Sequence, residues 1–290
     1  MDCRFVFVGN RRFVLEEMVE QGLNIVEAII VSGTHLERDF LAGKIPITNV
    51  MVSIIENKQE LLEIVNRGEF EVLVSNGCPY ILPIAELPEA RYVNIHPSYL
   101  PDLRGVDPVI GAILYGRDAG ATCHIMDSGI DTGAIISQVR IPFSDDLDVT
   151  TLYQLSFIAE KESFKRALAR DFAEQYNQQN EGNFIYYNRS PEDRVITFRE
   201  SNDILLRKIK AFNNRSQGCE FFHNGDRFLV YSATRMENTF LLNFLNRYKD
   251  GVIAFSYEGN IIFRKDGEAL RFMEVIPENN KPLACGDKLF

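Results

Sequence analysis

Arg4-Phe5-Val6-Phe7-Val8, stopped by Gly9-Asn10 and followed by a Leu-, Glu- and Met-rich stretch from Arg12 to Gln21, decides the architecture of this chain. So apolar a run, with no polar alternation, reads as a strand buried on both faces, the condition of strands in a parallel sheet. The helical stretch behind it supplies a covering layer. The pattern then repeats, with an apolar run at Ile25–Val31, a helix at Glu60–Asn66, a short strand at Val72–Val74, a strand at Arg91–His96 and a helix at Pro108–Tyr115. Short apolar strands alternating with helices predict an α/β fold, a mostly parallel sheet with helices on both faces. Ligands of such sheets sit beyond the carboxyl ends of the strands.

The pattern changes in the second half. Thr150 to Gln175 predicts one long amphipathic helix, with Leu152, Leu155, Ile158, Ala159 and Phe164 among its apolar positions. The polar stretch from Gln175 to Asn183, which contains Gly182, is the expected linker. It divides the chain into expected domains at residues 1–176 and 184–290. Beyond it, a helix at Asn202–Phe212 precedes short strands at Cys219–Phe222, Phe228–Ser232, Val252–Tyr257, Asn260–Arg264 and Leu270–Val275. Turn signals at His223-Asn224-Gly225-Asp226 and Glu258-Gly259-Asn260 separate some of them, which predicts a small, mostly antiparallel β domain, barrel or sandwich.

Charge narrows the partners. The net charge is −10 over 290 residues. Residues 1–180 hold 15 Lys and Arg against 26 Asp and Glu, a balance of −11, whereas residues 181–290 hold 16 against 15. Nucleic-acid binders gather Lys and Arg on one face to displace counterions from phosphates, so no nucleic-acid partner is expected. No run of about 18 apolar residues is present, so no membrane helix is expected. The start of the chain has no basic, apolar and small-residue succession of a secretion signal, and a cytoplasmic protein is expected. Five scattered cysteines, none in a Cys-x-x-Cys pair, suit neither a disulfide framework nor a zinc site.

Two segments carry chemistry. In Val93-Asn94-Ile95-His96-Pro97-Ser98-Tyr99-Leu100-Pro101, side chains two apart leave one face of a strand, so Asn94 and His96 project together. Pro97 keeps His96 extended and ends the strand there. An amide donor beside an imidazole is what acyl transfer needs, one for a developing oxyanion and the other to move protons near neutral pH. On composition alone, a lone Asn-x-His is more often an ordinary strand end. The second segment, His124-Ile125-Met126-Asp127-Ser128-Gly129-Ile130-Asp131-Thr132-Gly133, packs two acids and two glycines into a tight loop between apolar strands. Asp131 is placed to hold His96 in one tautomer and to stabilise its protonated form. The glycines allow backbone geometries that leave amides and carbonyls for a flat heterocycle. The other readings are an acidic turn or a divalent-metal loop, and the second lacks further carboxylates.

Together the segments resemble the folate-dependent formyltransferases, whose pattern is Asn-x-His-Pro-Ser-x-Leu-Pro, an Arg-Gly, then Met-Asp-x-Gly-x-Asp-Thr-Gly. Here these are Asn94–Pro101, Arg104-Gly105 and Met126–Gly133. A weaker likeness continues at Tyr187–Asp193 and Arg207–Phe212. The resemblance implies a Rossmann-like catalytic domain, catalytic roles for Asn94, His96 and Asp131, and 10-formyltetrahydrofolate as formyl donor. It implies a folate site built from Asn76, Cys78, Tyr80, Leu82, Asp127, Gly129 and Ile130, with no metal. The acceptor site would draw on Gly9, Asn10, Arg11, Arg12, Ser98, Tyr99, Arg104 and Asp107.

Departures from the pattern bear on the acceptor. Tyr99 replaces a small aliphatic and Leu103 an aromatic; Asp102 and Asp107 put negative charge near a presumed amine, or are two solvated loop acids. Gly9-Asn10-Arg11-Arg12 lacks Gly-x-Gly-x-x-Gly, so dinucleotide binding is unsupported. Arg11 or Arg12 at a helix start could meet a nucleotide diphosphate, or both are ordinary surface arginines. No role is assigned to His35, His124 or His223. The acidic first half favours a nucleotide-linked amino-dideoxy sugar, UDP- or dTDP-linked, over charged tRNA. Methionyl-tRNA formylation and formyltetrahydrofolate hydrolysis are the enzymatic alternatives. A folate- or nucleotide-binding sensor is the non-enzymatic one. A homodimer is left open.

Overall fold

The computed structural model describes residues 3–45, 47, 50–178, 182–214 and 217–290. The chain gathers into two compact units, Met1–Pro108 with Asp118–Pro142 and Gln154–Tyr187, and Val109–Arg117 with Phe143–Tyr153 and Asn188–Phe290.

The first unit is built on strands β1 (Arg4–Gly9), β2 (Asn24–Val31), β3 (Met51–Ile55), β4 (Val72–Asn76), β5 (Arg91–His96), β6 (Ala119–Ile125) and β7 (Ile135–Ile141). They form one sheet in the order β3-β2-β1-β4-β5-β6-β7. Its first five strands are parallel; β6 runs antiparallel to both β5 and β7. This is the expected α/β architecture. The alternation along β1 shows why its run had to be apolar throughout. Phe5 and Phe7 pack with Val14, Leu15, Met18 and Phe164 in one core cluster. Val6 and Val8 pack with Ile29, Leu61 and Val65 in the other. Helices α1 (Arg12–Glu20), α2 (His35–Leu41), α3 (Lys58–Arg67), α4 (Pro108–Tyr115) and α5 (Val149–Leu168) intervene in the chain.

Helix α5 ends at Leu168 rather than at Gln175. The chain turns through Asp171 and Phe172, both left-handed at φ 51 and 53, and buries the Phe172 ring near Phe5 and Phe164 at 6.2 and 6.0 Å. Burying a large aromatic gives more than the few helical hydrogen bonds forgone. The chain then pairs with β7, where Ile135 N donates to Tyr176 O at 2.9 Å. Of the linker stretch, residues 179–181 lie outside the described residues.

The second unit carries α6 (Asn202–Ala211), then β8 (Cys219–His223), β9 (Asp226–Val230), β10 (Ser232–Met236), α7 (Thr239–Leu245), β11 (Ile253–Tyr257), β12 (Asn260–Lys265), β13 (Glu268–Met273) and β14 (Ile276–Pro277). Its strands form two antiparallel sheets, β10-β13-β12-β11 and β14-β9-β8. Strand β10 and helix α7 had not been anticipated. The core here is aromatic, with Phe198 within 6.3 Å of Phe221, Phe263, Phe272 and Phe290.

Candidate active site

Strand β5 delivers Asn94 and His96 to its carboxyl end on one face, as their spacing required. The antiparallel register then sets His124 of β6 directly opposite Asn94, and Thr122 opposite His96. The loop after β6 returns Asp131 to the same place. Asp131 sits at φ 54, a left-handed position that Asp tolerates better than most residues. Gly129 and Gly133 are needed there for close approach rather than for positive φ. A Cβ on Gly133 would lie 1.9 Å from the Ile125 oxygen, and one on Gly129 would lie 2.0 Å from Thr132 Oγ1. Their polar groups are already engaged: Gly129 N donates to Asp127 Oδ1 at 3.0 Å, and Gly133 O accepts from Gln178 Nε2 at 2.8 Å.

Asp131 is the hub. Its Oδ1 lies 3.5 Å from His96 Nδ1 and 3.5 Å from His124 Nε2, and 3.4 Å from Asn94 Nδ2. Its Oδ2 accepts the Gly105 amide at 3.1 Å. The far nitrogen of each ring faces a carbonyl, which can only accept. His96 Nε2–H therefore donates to Leu103 O at 3.0 Å, and His124 Nδ1–H to Ile125 O at 2.8 Å. These bonds fix both tautomers and leave His96 Nδ1 and His124 Nε2 turned to the carboxylate. The amide of Asn94 donates to His124 Nε2 at 3.3 Å.

Burial holds the His96 imidazole below its ordinary 6.5, while Asp131 and the Leu103 carbonyl pull the other way. Burial would raise Asp131, but His96, His124 and the Gly105 amide outweigh it and keep the carboxyl well below the usual carboxylate range. At neutral pH the cluster thus holds an ionised Asp131 beside a mostly neutral His96. An amine that sheds a proton there meets a base with its counter-charge in place.

The cluster opens on a cavity of about 360 Å³, within the range of small-molecule sites. Asn94, His96 and Asp131 line it, and so do Cys78, Tyr80, Leu82, Asp127, Gly129 and Ile130 from the expected folate set and Asn10 and Arg11 from the expected acceptor set. Its walls are mostly apolar side chains and backbone edges. Burial pushes the Cys78 thiol up to about 11, so it is no nucleophile at neutral pH.

Other expected site residues do not line the cavity. Gly9 is a packing contact, since a Cβ on it would lie 2.0 Å from Asn76 O. Asn76 is fully buried, with its amide given to Ile95 O and Glu160 Oε2 at 3.2 and 3.1 Å. Ser98 is buried and donates to Asp102 O at 2.8 Å. Arg12 pairs with Glu16 and Asp39, each at 3.4 Å. Arg104 donates to Gln178 Oε1 at 2.9 Å. Asp107 donates its amide to Tyr187 O at 3.5 Å. Tyr99 is exposed. The sequence reading missed His124 and Tyr186, the latter brought to the cavity wall by a parallel bridge to Arg104. Among the described residues, no group of three or more His, Cys, Asp or Glu is placed to hold a metal, and no helix is long and apolar enough to cross a membrane.

Comparison with known proteins places this geometry. The formyl transferase family model matches residues 42–168, and the formyl transferase C-terminal domain model matches residues 189–288. A methionyl-tRNA formyltransferase of Caldanaerobacter subterraneus is 24% identical over 315 residues, covering 99% of this chain and 96% of that protein. One of Hahella chejuensis is 32% identical over 239 residues, 80% of this chain and 71% of that protein. Among solved structures, a sugar 3N-formyl transferase in the presence of dTDP and 5-N-formyl-THF superposes with a TM-score of 0.72 at 20% identity, covering 97% of this chain and all of that one. The N-formyltransferase of Helicobacter canadensis, in complex with folinic acid and dTDP-3-aminofucose, gives 0.69 at 18% identity over 93% and 98%. This chain belongs to the formyl transferase family and is a formyl-transferring enzyme.

Proposed function

We propose that the enzyme moves the formyl group of 10-formyltetrahydrofolate to the amine of a nucleotide-linked amino-dideoxy sugar, UDP- or dTDP-linked. Residues 1–176 would form the catalytic domain and residues 184–290 an accessory one, in a cytoplasmic enzyme. The observation that carries the reaction is the meeting of Asn94, His96 and Asp131 within 3.5 Å at the cavity. The amine attacks the formyl carbon, and the new C–N bond leaves a tetrahedral oxyanion. Asn94 Nδ2 is the neutral donor for that charge, turning an N–H to it from the long bonds to His124 and Asp131. His96 Nδ1 takes the proton the amine sheds, and Asp131 neutralises the imidazolium formed. The proton then passes to the folate nitrogen as the formyl C–N bond breaks, so no proton or electron is gained or lost overall. The largely apolar wall with Tyr80, Leu82 and Ile130 suits a flat heterocycle, and Asp127 stands at the same wall.

For the acceptor, the balance of −11 over residues 1–180 disfavours a large polyanion. Two solved structures of this fold were obtained with dTDP or a dTDP-linked amino sugar, which supports a sugar nucleotide. The second reading, methionyl-tRNA, is favoured by the near full-length likeness to methionyl-tRNA formyltransferases. A panel of UDP-, dTDP- and GDP-amino sugars beside charged initiator tRNA, read by the mass gain of a formyl group, tests the two. Formylation of an amino-sugar nucleotide is expected. Formylation of methionyl-tRNA with no turnover across the panel would overturn the proposal, and folate hydrolysis without any acceptor would replace it with the hydrolase reading.

A further inference from the structure

Glu160 of α5 is fully buried. Taking a carboxylate out of water costs several kcal/mol unless partners replace its hydration. Two do. One carboxylate oxygen pairs with Arg11, and the other accepts the Asn76 amide at 3.1 Å. Asn76, itself fully buried, gives the rest of its amide to Ile95 O, and its own Oδ1 has no partner among the described residues. The arrangement thus buries a charge where apolar residues of like volume often pack at no greater cost. Stability alone is weak ground for it.

The cluster ends at the cavity. Arg11 is the residue just before α1; its guanidinium lies 5.5 Å over the Phe157 ring, and its side chain lines the wall that His96 also lines. Gly77, at φ 71, keeps room for it, since a Cβ there would lie 2.3 Å from Asn10 Oδ1 and 3.2 Å from Arg11 Nε. An arginine at the mouth of a site ordinarily sweeps many rotamers, and each must be frozen when a ligand binds. Anchored from inside the core by a carboxylate, this one has lost that freedom in advance.

We propose that Glu160 is a positioning residue that fixes Arg11 at the cavity wall to take a phosphate oxygen of the acceptor. This rests on the reading that a phosphate-bearing acceptor enters the cavity, and any such acceptor shares the needed chemistry. Steady-state kinetics with the acceptor that the wild type formylates test it. Glu160→Gln should raise the acceptor KM about 10- to 100-fold, the worth of a hydrogen bond to a charged group, with kcat within about twofold and the folate KM unchanged. The paired variant R11M/E160L removes both charges and keeps the volume filled; only the Asn76 amide loses a partner, so its Tm should fall modestly while its acceptor KM remains high. A paired variant with wild-type acceptor KM would make the ion pair purely structural and overturn the proposal. So would a folded Glu160→Gln whose acceptor KM does not move. If the wild type formylates methionyl-tRNA in place of sugar nucleotides, the acceptor reading of the preceding section fails, while the same KM shift is still expected with that substrate.

Discussion

The polar groups buried near the cavity of the first unit and those buried in the second are arranged differently. In the first, Ser75, Asn76, His96, Ser98, Thr122, His124 and Glu160 are buried around the ends of β4 and β5 and the facing part of β6. Asp131 and Arg11 extend that set to a cavity wall. Among the described residues of the second, the buried polar ones are Asn202, Lys208 and Lys265, and the bonds they make stay within that unit. Lys208 Nζ donates to Val195 O at 2.9 Å and Glu200 Oε1 at 2.5 Å. Lys265 Nζ donates to Glu200 O at 2.7 Å, and Asn202 to Lys265 O at 3.0 Å. A buried ammonium held by carbonyls and a carboxylate is a clamp on a loop. A buried imidazole with one nitrogen turned to a carboxylate at a cavity has the arrangement that carrying a proton requires. Burial alone does not tell them apart; the geometry of the remaining valence does.

The largest expected effects break this comparison most directly. His96→Asn or Asp131→Asn should lower formyl transfer 10²- to 10⁴-fold, as for the loss of an acid–base group, with folate affinity measured by calorimetry largely kept. In the second unit, Phe272→Ala empties the centre of the aromatic cluster and should cost about 3–5 kcal/mol in denaturant unfolding, with kcat per folded molecule within about twofold. If Phe272→Ala lowered kcat as far as His96→Asn, or His96→Asn kept more than about a tenth of wild-type turnover, the division of labour would fall.

How much of this could be read beforehand follows the same divide. Strands β1, β2, β4 and β5 lie within a residue or two of their expected places, because two-sided burial writes itself as an apolar run. Helix α2 was missed although Thr34 and Glu37 form its capping pair, with Glu37 N donating to Thr34 Oγ1 at 3.3 Å and Gly33 N to Glu37 Oε2 at 2.7 Å; that signal stood in the sequence. At the site, Asn94, His96 and Asp131 were legible from spacing and resemblance. His124 was not, since its place depends on the antiparallel register of β5 and β6, whose paired residues lie 30 positions apart. Glu160 reads as one more polar helix position until Asn76 and Arg11 close over it. Helix α5 stops at Leu168, short of Gln175, because Phe172 is pulled into the core, and nothing local in the sequence announces that.

A pH experiment sharpens the comparison at a smaller scale. His96 titrates lower in the folded protein than its ordinary 6.5, so the unfolded chain binds the proton more readily. The stability this contributes is fully present above about pH 6.5 and is lost as pH falls through the folded-state value. Asp131, also depressed, acts in the same direction at lower pH, from its ordinary 3.8 downward. Thermal unfolding of the wild type should therefore show Tm dropping as pH falls below about 6.5. His96→Asn should flatten the upper part of that slope and leave the lower part. An unchanged slope would mean that His96 is not the buried neutral ring described above.

The smallest expected effect concerns salt, and it bears on what the cavity-bearing unit receives. A protein that neutralises many phosphates loses affinity steeply as salt rises, with a slope near −0.9 per phosphate on duplex B-DNA. Residues 1–180 carry an excess of eleven acidic over basic residues, while residues 181–290 are nearly balanced at 16 basic against 15 acidic. Neither half has the basic excess that a tRNA-length polyanion would exploit. A diphosphate needs only a cation or two, such as Arg11 at the cavity wall. Acceptor KM measured from about 50 to 200 mM salt should therefore rise about 3- to 12-fold, the change expected when one or two phosphates are held. A rise of 10³-fold or more over that span would signal many phosphate contacts. The acceptor would then be a nucleic acid held by a surface that overall charge does not reveal.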